Sequence, residues 1–218
     1  MLLTRYGWKQ WVLITVITAI PSAFTIWMHW WFVLGALVAL WLALVSFFRD
    51  PWRKVPTDLP SGTMLSPADG VISAIEFVDD HESTGSKSVI IRIFLSVLNV
   101  HINRAPCDCT VQGIIYREGQ FLDARVEESA RVNESNLITL QVGEETIGVR
   151  QVSGKLARRI VCPIDVGDTL HQGQRFGMIK YGSTTELILP RSNDVTVLVS
   201  KGDKVYGGLT QLATLPTP

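Results

Sequence analysis

The chain has 218 residues, and its 20 lysines and arginines balance 20 aspartates and glutamates, so no overall charge draws it to nucleic acid. Three cysteines, Cys107, Cys109 and Cys162, are too few and too odd in number for a disulfide framework, which favours a reducing compartment. Cys107-x-Cys109 with His101 nearby falls short of a zinc site, which takes four ligands at characteristic spacings, and no metal is expected.

Charge is unevenly placed. After Arg5 and Lys9 no charged residue occurs until Arg49, and the stretch Gln10–Phe48 holds five of the seven tryptophans. It divides into Trp11–Met28 and Trp30–Phe48, of 18 and 19 residues, with His29 between. At about 1.5 Å per residue each half reaches roughly 27–29 Å, close to a hydrocarbon core of about 30 Å. Arg5 and Lys9 precede the block and Arg49, Arg53 and Lys54 follow it, so the positive-inside rule puts both ends on the cytoplasmic side. The block is too long for a signal peptide and lacks the polar face of a soluble helix pair. Pro21 allows a kinked, re-entrant hairpin as well as a spanning one. Residues 1–49 are therefore expected to attach the chain to the cell membrane at its cytoplasmic face.

Prolines at 51, 56 and 60 make residues 50–60 a stiff connector, and a β-rich domain is expected over 61–218. Its expected strands are Gly70–Phe77, Ser88–Leu95, Thr110–Tyr116, Leu137–Val142, Thr146–Val152, Arg159–Ile164, Phe176–Ile179, Glu186–Leu189 and Val195–Val199. A turn or two of helix is expected around Leu122–Ser129. The fold class is mainly β: an antiparallel β-sandwich or rolled barrel behind an N-terminal helical hairpin. Val166–Gly173 is echoed 35 residues later by Lys201–Gly208, each reading as a Gly-Asp turn, a strand and a second glycine turn.

The domain has no G-x-S-x-G elbow, phosphate-binding glycine loop, H-E-x-x-H or Rossmann fingerprint. Three segments hold residues with chemistry: Pro67-Ala68-Asp69-Gly70, Asn99–Pro106 with His101 and Arg104, and Tyr181-Gly182-Ser183-Thr184. Singly, each reads as well as a turn or a half-buried strand. With the Phe47–Pro51 junction, and in this order, they resemble the phosphatidylserine decarboxylase family, in particular its short, archaetidylserine-decarboxylase-like type. Arg104 stands where larger members carry a second histidine, so a fully histidine-based self-cleavage apparatus is absent and the base for that step stays open. Asn133-Glu134-Ser135 stands where the family has N-E-R.

The resemblance implies a self-cleaving proenzyme that decarboxylates phosphatidylserine to phosphatidylethanolamine. The chain would be cut between Gly182 and Ser183, and Ser183 would become a covalent pyruvoyl group. That group serves as electron sink for the departing carboxylate. His101, oriented by Asp69, would be the base for Ser183 and later the proton donor. Arg104 is a candidate for the lipid phosphate or carboxylate. The two fragments are expected to stay associated, with phospholipid and membrane as partners; a homodimer is left open.

Three other readings compete. Archaetidylserine shares the head group, so no site residue separates it from phosphatidylserine. A non-enzymatic membrane adaptor with a biotinyl-like sandwich would leave His101 unexplained, and a hydrolase using Ser183 and His101 would lack its nucleophile elbow.

Overall fold

A computed structural model describes residues 3–155, 159–180 and 183–216. The chain forms two compact units, Met1–Trp52 and Arg53–Pro218.

In the first unit, helices α1 (Trp8–Trp27) and α2 (Trp31–Ser46) form a hairpin, joined through His29 in the left-handed region at φ 57°. Helix α1 continues past Pro21, and Thr15, Thr18, Ser22 and Thr25 return their hydroxyls to carbonyls of the preceding turn. Such polar side chains therefore make no demand on an apolar surrounding. Trp41 donates its indole N–H to Thr15 Oγ1 at 3.0 Å, linking the helices. The outward surface is apolar, with Ile17, Ile20, Trp27, Trp31 and Phe32 exposed. With its leading turn, α1 is long and apolar enough to cross a membrane. Helix α2 has 16 residues rather than the 19 expected, because it begins at Trp31 and ends at Ser46. At about 24 Å it is shorter than a hydrocarbon core.

The second unit contains β1 (Thr63–Leu65), β2 (Gly70–His81), β3 (Ser86–Leu95), β4 (Ile102–Arg104), β5 (Cys109–Arg117), the single helical turn α3 (Ser129–Val132), β6 (Ser135–Val142) and β7 (Glu145–Val152). There follow β8 (Ile160–Val161), β9 (Thr169–Leu170), β10 (Arg175–Ile179), β11 (Ser183–Pro190), β12 (Thr196–Val197), β13 (Lys204–Val205) and β14 (Gln211–Thr214). An eight-stranded sheet runs β13-β2-β3-β11-β7-β6-β5-β9, and β1-β14-β12 and β4-β10-β8 form two smaller sheets. All the strand pairs are antiparallel. Alternation explains the core: Ile91, Ile93, Leu95, Leu187, Leu189, Ile147, Val149, Ile138 and Leu140 point inward from the large sheet, and Met64, Phe176, Leu212 and Ala213 meet them from the smaller ones. The sheet thus curls into a half-barrel closed by two short sheets.

Helix over Leu122–Ser129 is not found; α3 begins only at Ser129. Asp123 accepts the Arg125 N–H, and Asn133 bonds both backbone groups of Leu122, so side chains take up the donors that helix would need. Expected strands at Arg159–Ile164 and Val195–Val199 shrink to two residues each, the first cut short by Pro163.

The repeated Gly-Asp segment forms the two edges of the large sheet. Gly167 (φ 97°) turns into β9, which pairs with β5, and Gly202 (φ 99°) turns into β13, which pairs with β2. Asp168 accepts the Asp165 N–H at 2.9 Å, and Asp203 accepts that of Ser200 at 2.7 Å. The sequence echo is thus a structural pseudo-repeat.

Candidate active site

Ser183 opens β11, a central strand paired with β3 through Ser183↔Leu95 and with β7 through Thr184↔Val152. The chain crosses from the β4-β10-β8 sheet to the large sheet between Ile179 and Ser183. Gly182, the other residue of the expected cleavage bond, lies outside the described residues. Ser183 is fully buried, and its hydroxyl has no hydrogen-bond partner among the described residues. One step beyond the Thr184↔Val152 pair, the register sets Ser153 opposite Ser183, and the Ser153 hydroxyl is also buried and unpartnered. Two orphaned hydroxyls at one position are costly unless a later state uses them.

A satisfied polar layer lies just inward. Asn103 on β4 donates to Thr185 Oγ1 at 3.0 Å, Gln151 donates to Asn103 Oδ1 at 2.9 Å, and Asn136 donates to Gln151 Oε1 at 3.1 Å. This chain ties the small sheet to the strand that begins at Ser183. Gly177 on β10 is required there: a Cβ would stand 2.5 Å from the Val161 carbonyl oxygen and 3.0 Å from Gln151 Nε2. Asn133 adds a further tie, donating to the Ser153 carbonyl at 2.9 Å while it holds Leu122.

His101 is completely buried, two residues before Asn103. Its Nδ1 lies 2.9 Å from the Asn99 carbonyl oxygen, and a carbonyl can only accept, so Nδ1 carries a proton and in the neutral ring Nε2 is the accepting nitrogen. The Asn99 side chain accepts from the Ser96 N–H at 2.9 Å and from its hydroxyl at 2.8 Å, fixing the loop that presents that carbonyl. His101 O in turn accepts the Ile179 N–H at 3.3 Å, which brings the histidine's strand to the end of β10, four residues before Ser183.

Asp69 is held otherwise than expected. Both carboxylate oxygens take Arg53, at 2.6 and 2.7 Å, and Oδ1 also accepts the Gly207 N–H at 2.8 Å. Its counterpart in the pseudo-repeat is Asp108, whose Oδ1 accepts the Gln172 N–H at 2.7 Å. The backbone bond is therefore a turn device used twice, and the group that orients the His101 ring through Nδ1 is the Asn99 carbonyl, not Asp69. Arg104 is 4 % exposed and donates to the Gly173 carbonyl at 3.0 Å. Arg53, Asn103, Gln151 and Ser153 were not singled out from the sequence; Asn103 alone carried a signal, by lying inside the Asn99–Pro106 segment. Among the described residues no group of three or more His, Cys, Asp or Glu is placed to hold a metal ion.

Residues 41–213 match the profile of the family described as phosphatidylserine decarboxylase. The chain is 42 % identical over 192 residues to a phosphatidylserine decarboxylase proenzyme of Carboxydothermus hydrogenoformans, covering 84 % of this chain and 89 % of that protein. Likeness to the proenzyme of Symbiobacterium thermophilum is 40 % over 217 residues, covering 99 % and 96 %. With that of Rhodopirellula baltica it is 40 % over 217 residues, covering 96 % and 86 %.

Proposed function

The chain belongs to the phosphatidylserine decarboxylase family, and from that premise we propose that it decarboxylates phosphatidylserine with a pyruvoyl group made by cutting itself between Gly182 and Ser183. The observation that carries this reading is the buried Ser183 hydroxyl, unpartnered among the described residues, at the start of a central strand. A serine kept only for packing would find a partner or be replaced by alanine at no cost.

In cleavage, the Ser183 hydroxyl adds to the Gly182 carbonyl and its proton passes to a base. The peptide bond becomes an ester as the Ser183 nitrogen takes a proton. Loss of the Ser183 Cα proton then expels the Gly182 carboxylate and leaves a dehydroalanine. Water replaces its nitrogen, ammonia leaves, and the new chain start is a ketone. His101, with Nδ1–H on the Asn99 carbonyl, keeps Nε2 as the accepting nitrogen for these transfers. The polar layer of Asn103, Gln151 and Asn136 holds β11 in register, so the strand keeps its place when the bond N-terminal to it is cut. A pyruvoyl carbonyl supplies the electron sink for loss of the carboxylate. The Ser153 side chain is the described donor opposite it, and His101 can return a proton to the product carbon.

The apolar hairpin supports work at a bilayer, because a lipid with two acyl chains does not cross water readily. The flanking positive charges support a cytoplasmic position for both hairpin ends, and with them for the β-domain. Intact mass spectrometry tests the core of the reading. Purified protein should contain two fragments, with the one from position 183 to 218 lighter than an ordinary peptide by one ammonia and blocked to Edman degradation. Ser183→Ala should give one uncut, inactive chain. Active protein of a single 218-residue mass would overturn the mechanism.

A further inference from the structure

The pairing of β8 with β10 runs Met178↔Val161 and Ile179↔Ile160, so one step further Lys180 stands opposite Arg159. The Lys180 N–H donates to the Arg159 carbonyl at 3.3 Å, which extends the ladder to this pair. Directly opposite residues of an antiparallel pair project to the same side with Cβ atoms about 5 Å apart, and like charges there are destabilising. Lys180 is only 5 % exposed, yet no carboxylate or other acceptor among the described residues pairs with its ammonium. Arg159 is exposed and has no ion pair with a described residue either. Burial, and then the Arg159 guanidinium, hold the Lys180 ammonium below the ordinary lysine range. A largely buried cation set against a second cation is an arrangement that an anion would complete.

We propose that Lys180 and Arg159 form the subsite for the phosphodiester of the lipid head group, at the rim where the chain leaves β10 for Ser183. The assignment rests on the decarboxylase reading above, which supplies an anionic lipid as substrate. The phosphate is the better occupant than the carboxylate. A cation gripping the carboxylate would stabilise the ground state and oppose the loss of carbon dioxide, whereas the phosphodiester keeps its charge throughout. Binding it is therefore uniform between substrate and transition state and belongs in KM.

The test uses the full-length mature enzyme with phosphatidylserine in mixed micelles. Lys180→Gln should raise KM about ten- to a hundredfold, the range of a hydrogen-bonded charge, with kcat within about twofold and cleavage complete by mass. Arg159→Gln should raise KM by a smaller factor, and Lys180→Arg should restore most of the loss. Two soluble inhibitors separate the anions. Glycerophosphoethanolamine has the phosphodiester without the carboxylate, and its inhibition constant should rise with KM in Lys180→Gln. Free serine has the carboxylate without the phosphate, and its inhibition should not change. Ligand-free Lys180→Gln should melt no lower than wild type, because the substitution removes a largely buried charge, unpaired among the described residues and set against Arg159; a merely structural lysine would lower the melting temperature. An unchanged KM, a loss confined to kcat, an uncut variant, or weakened inhibition by serine alone would each overturn the proposal. Wild-type protein that leaves phosphatidylserine untouched would instead sink the decarboxylase reading on which it rests.

Discussion

At the scale of single residues, Asp69 and His101 make different demands. The Asp69–Arg53 pair is buried on both sides, each side chain 7 % exposed, whereas Asp108 repeats only the backbone bond on a side chain 78 % exposed. Asp69→Ala strips Arg53 of its counter-ion inside the domain, a change that costs about 3–5 kcal/mol. Asp108→Ala removes one exposed turn bond and should cost about 1 kcal/mol or less. His101→Ala should abolish lipid decarboxylation by removing the proposed proton carrier, whose ring is held by the Asn99 carbonyl. Thermal unfolding beside turnover separates the two roles: Asp69→Ala should fall chiefly in melting temperature and His101→Ala chiefly in rate. A stable but inactive Asp69→Ala would return Asp69 to the chemistry.

At the scale of elements, β11 carries the molecule. Its inner residues are Ser183, then Thr185 of the polar layer and Leu187 and Leu189 of the core, while on its outer face Glu186 is completely buried. Glu186 takes Arg92 Nε at 2.8 Å and Arg150 Nε at 2.7 Å, and Arg92 is shared with Glu76 at 2.8 Å. One carboxylate thus joins the two strands that flank β11. These bonds, with ladders on both sides of the strand, would keep a cleaved fragment in place without its covalent link. Glu186→Gln leaves Arg150 without an anion among the described residues and Arg92 with Glu76 alone, and should cost about 3–5 kcal/mol. Chemical denaturation of the uncut Ser183→Ala background measures that cost without the complication of chain separation. A change below about 1 kcal/mol would show that the arginines find other acceptors.

At the scale of the whole molecule, the hairpin and the β-domain are separate compact units, each with its own internal ties. Residues 53–218 contain the large sheet, the polar layer, His101 and Ser183, so nothing described in the site requires the hairpin. A chain lacking residues 1–52 should still fold and cleave itself. It should turn over phosphatidylserine dispersed in detergent, but lose at least tenfold in rate on sealed vesicles, where only the anchored enzyme meets substrate at high effective concentration. Equal rates of the two forms on vesicles would remove the hairpin from function and leave it an anchor without consequence for turnover.

Much of this was legible in the order of residues. Local patterns sufficed for the uncharged block, the longer strands and the Gly-Asp repeat, because alternation, charge and φ-positive glycines act within a few residues. Glycine-serine at 182–183 and the Asn99–Pro106 segment marked where chemistry would sit, through resemblance to a family. Tertiary structure alone decided the partners. That Asp69 meets Arg53 and not His101 follows from where the connector before β1 packs, and that Ser153 faces Ser183 and Lys180 stands against Arg159 follows from strand register. Register is set by the fit of the whole hydrophobic face, and a shift of one residue would exchange every such pair, so no single segment contains the information. The short strands β1, β4 and β14 escaped notice for the same reason: with three or four residues each, they are strands only because a neighbour completes their hydrogen bonds.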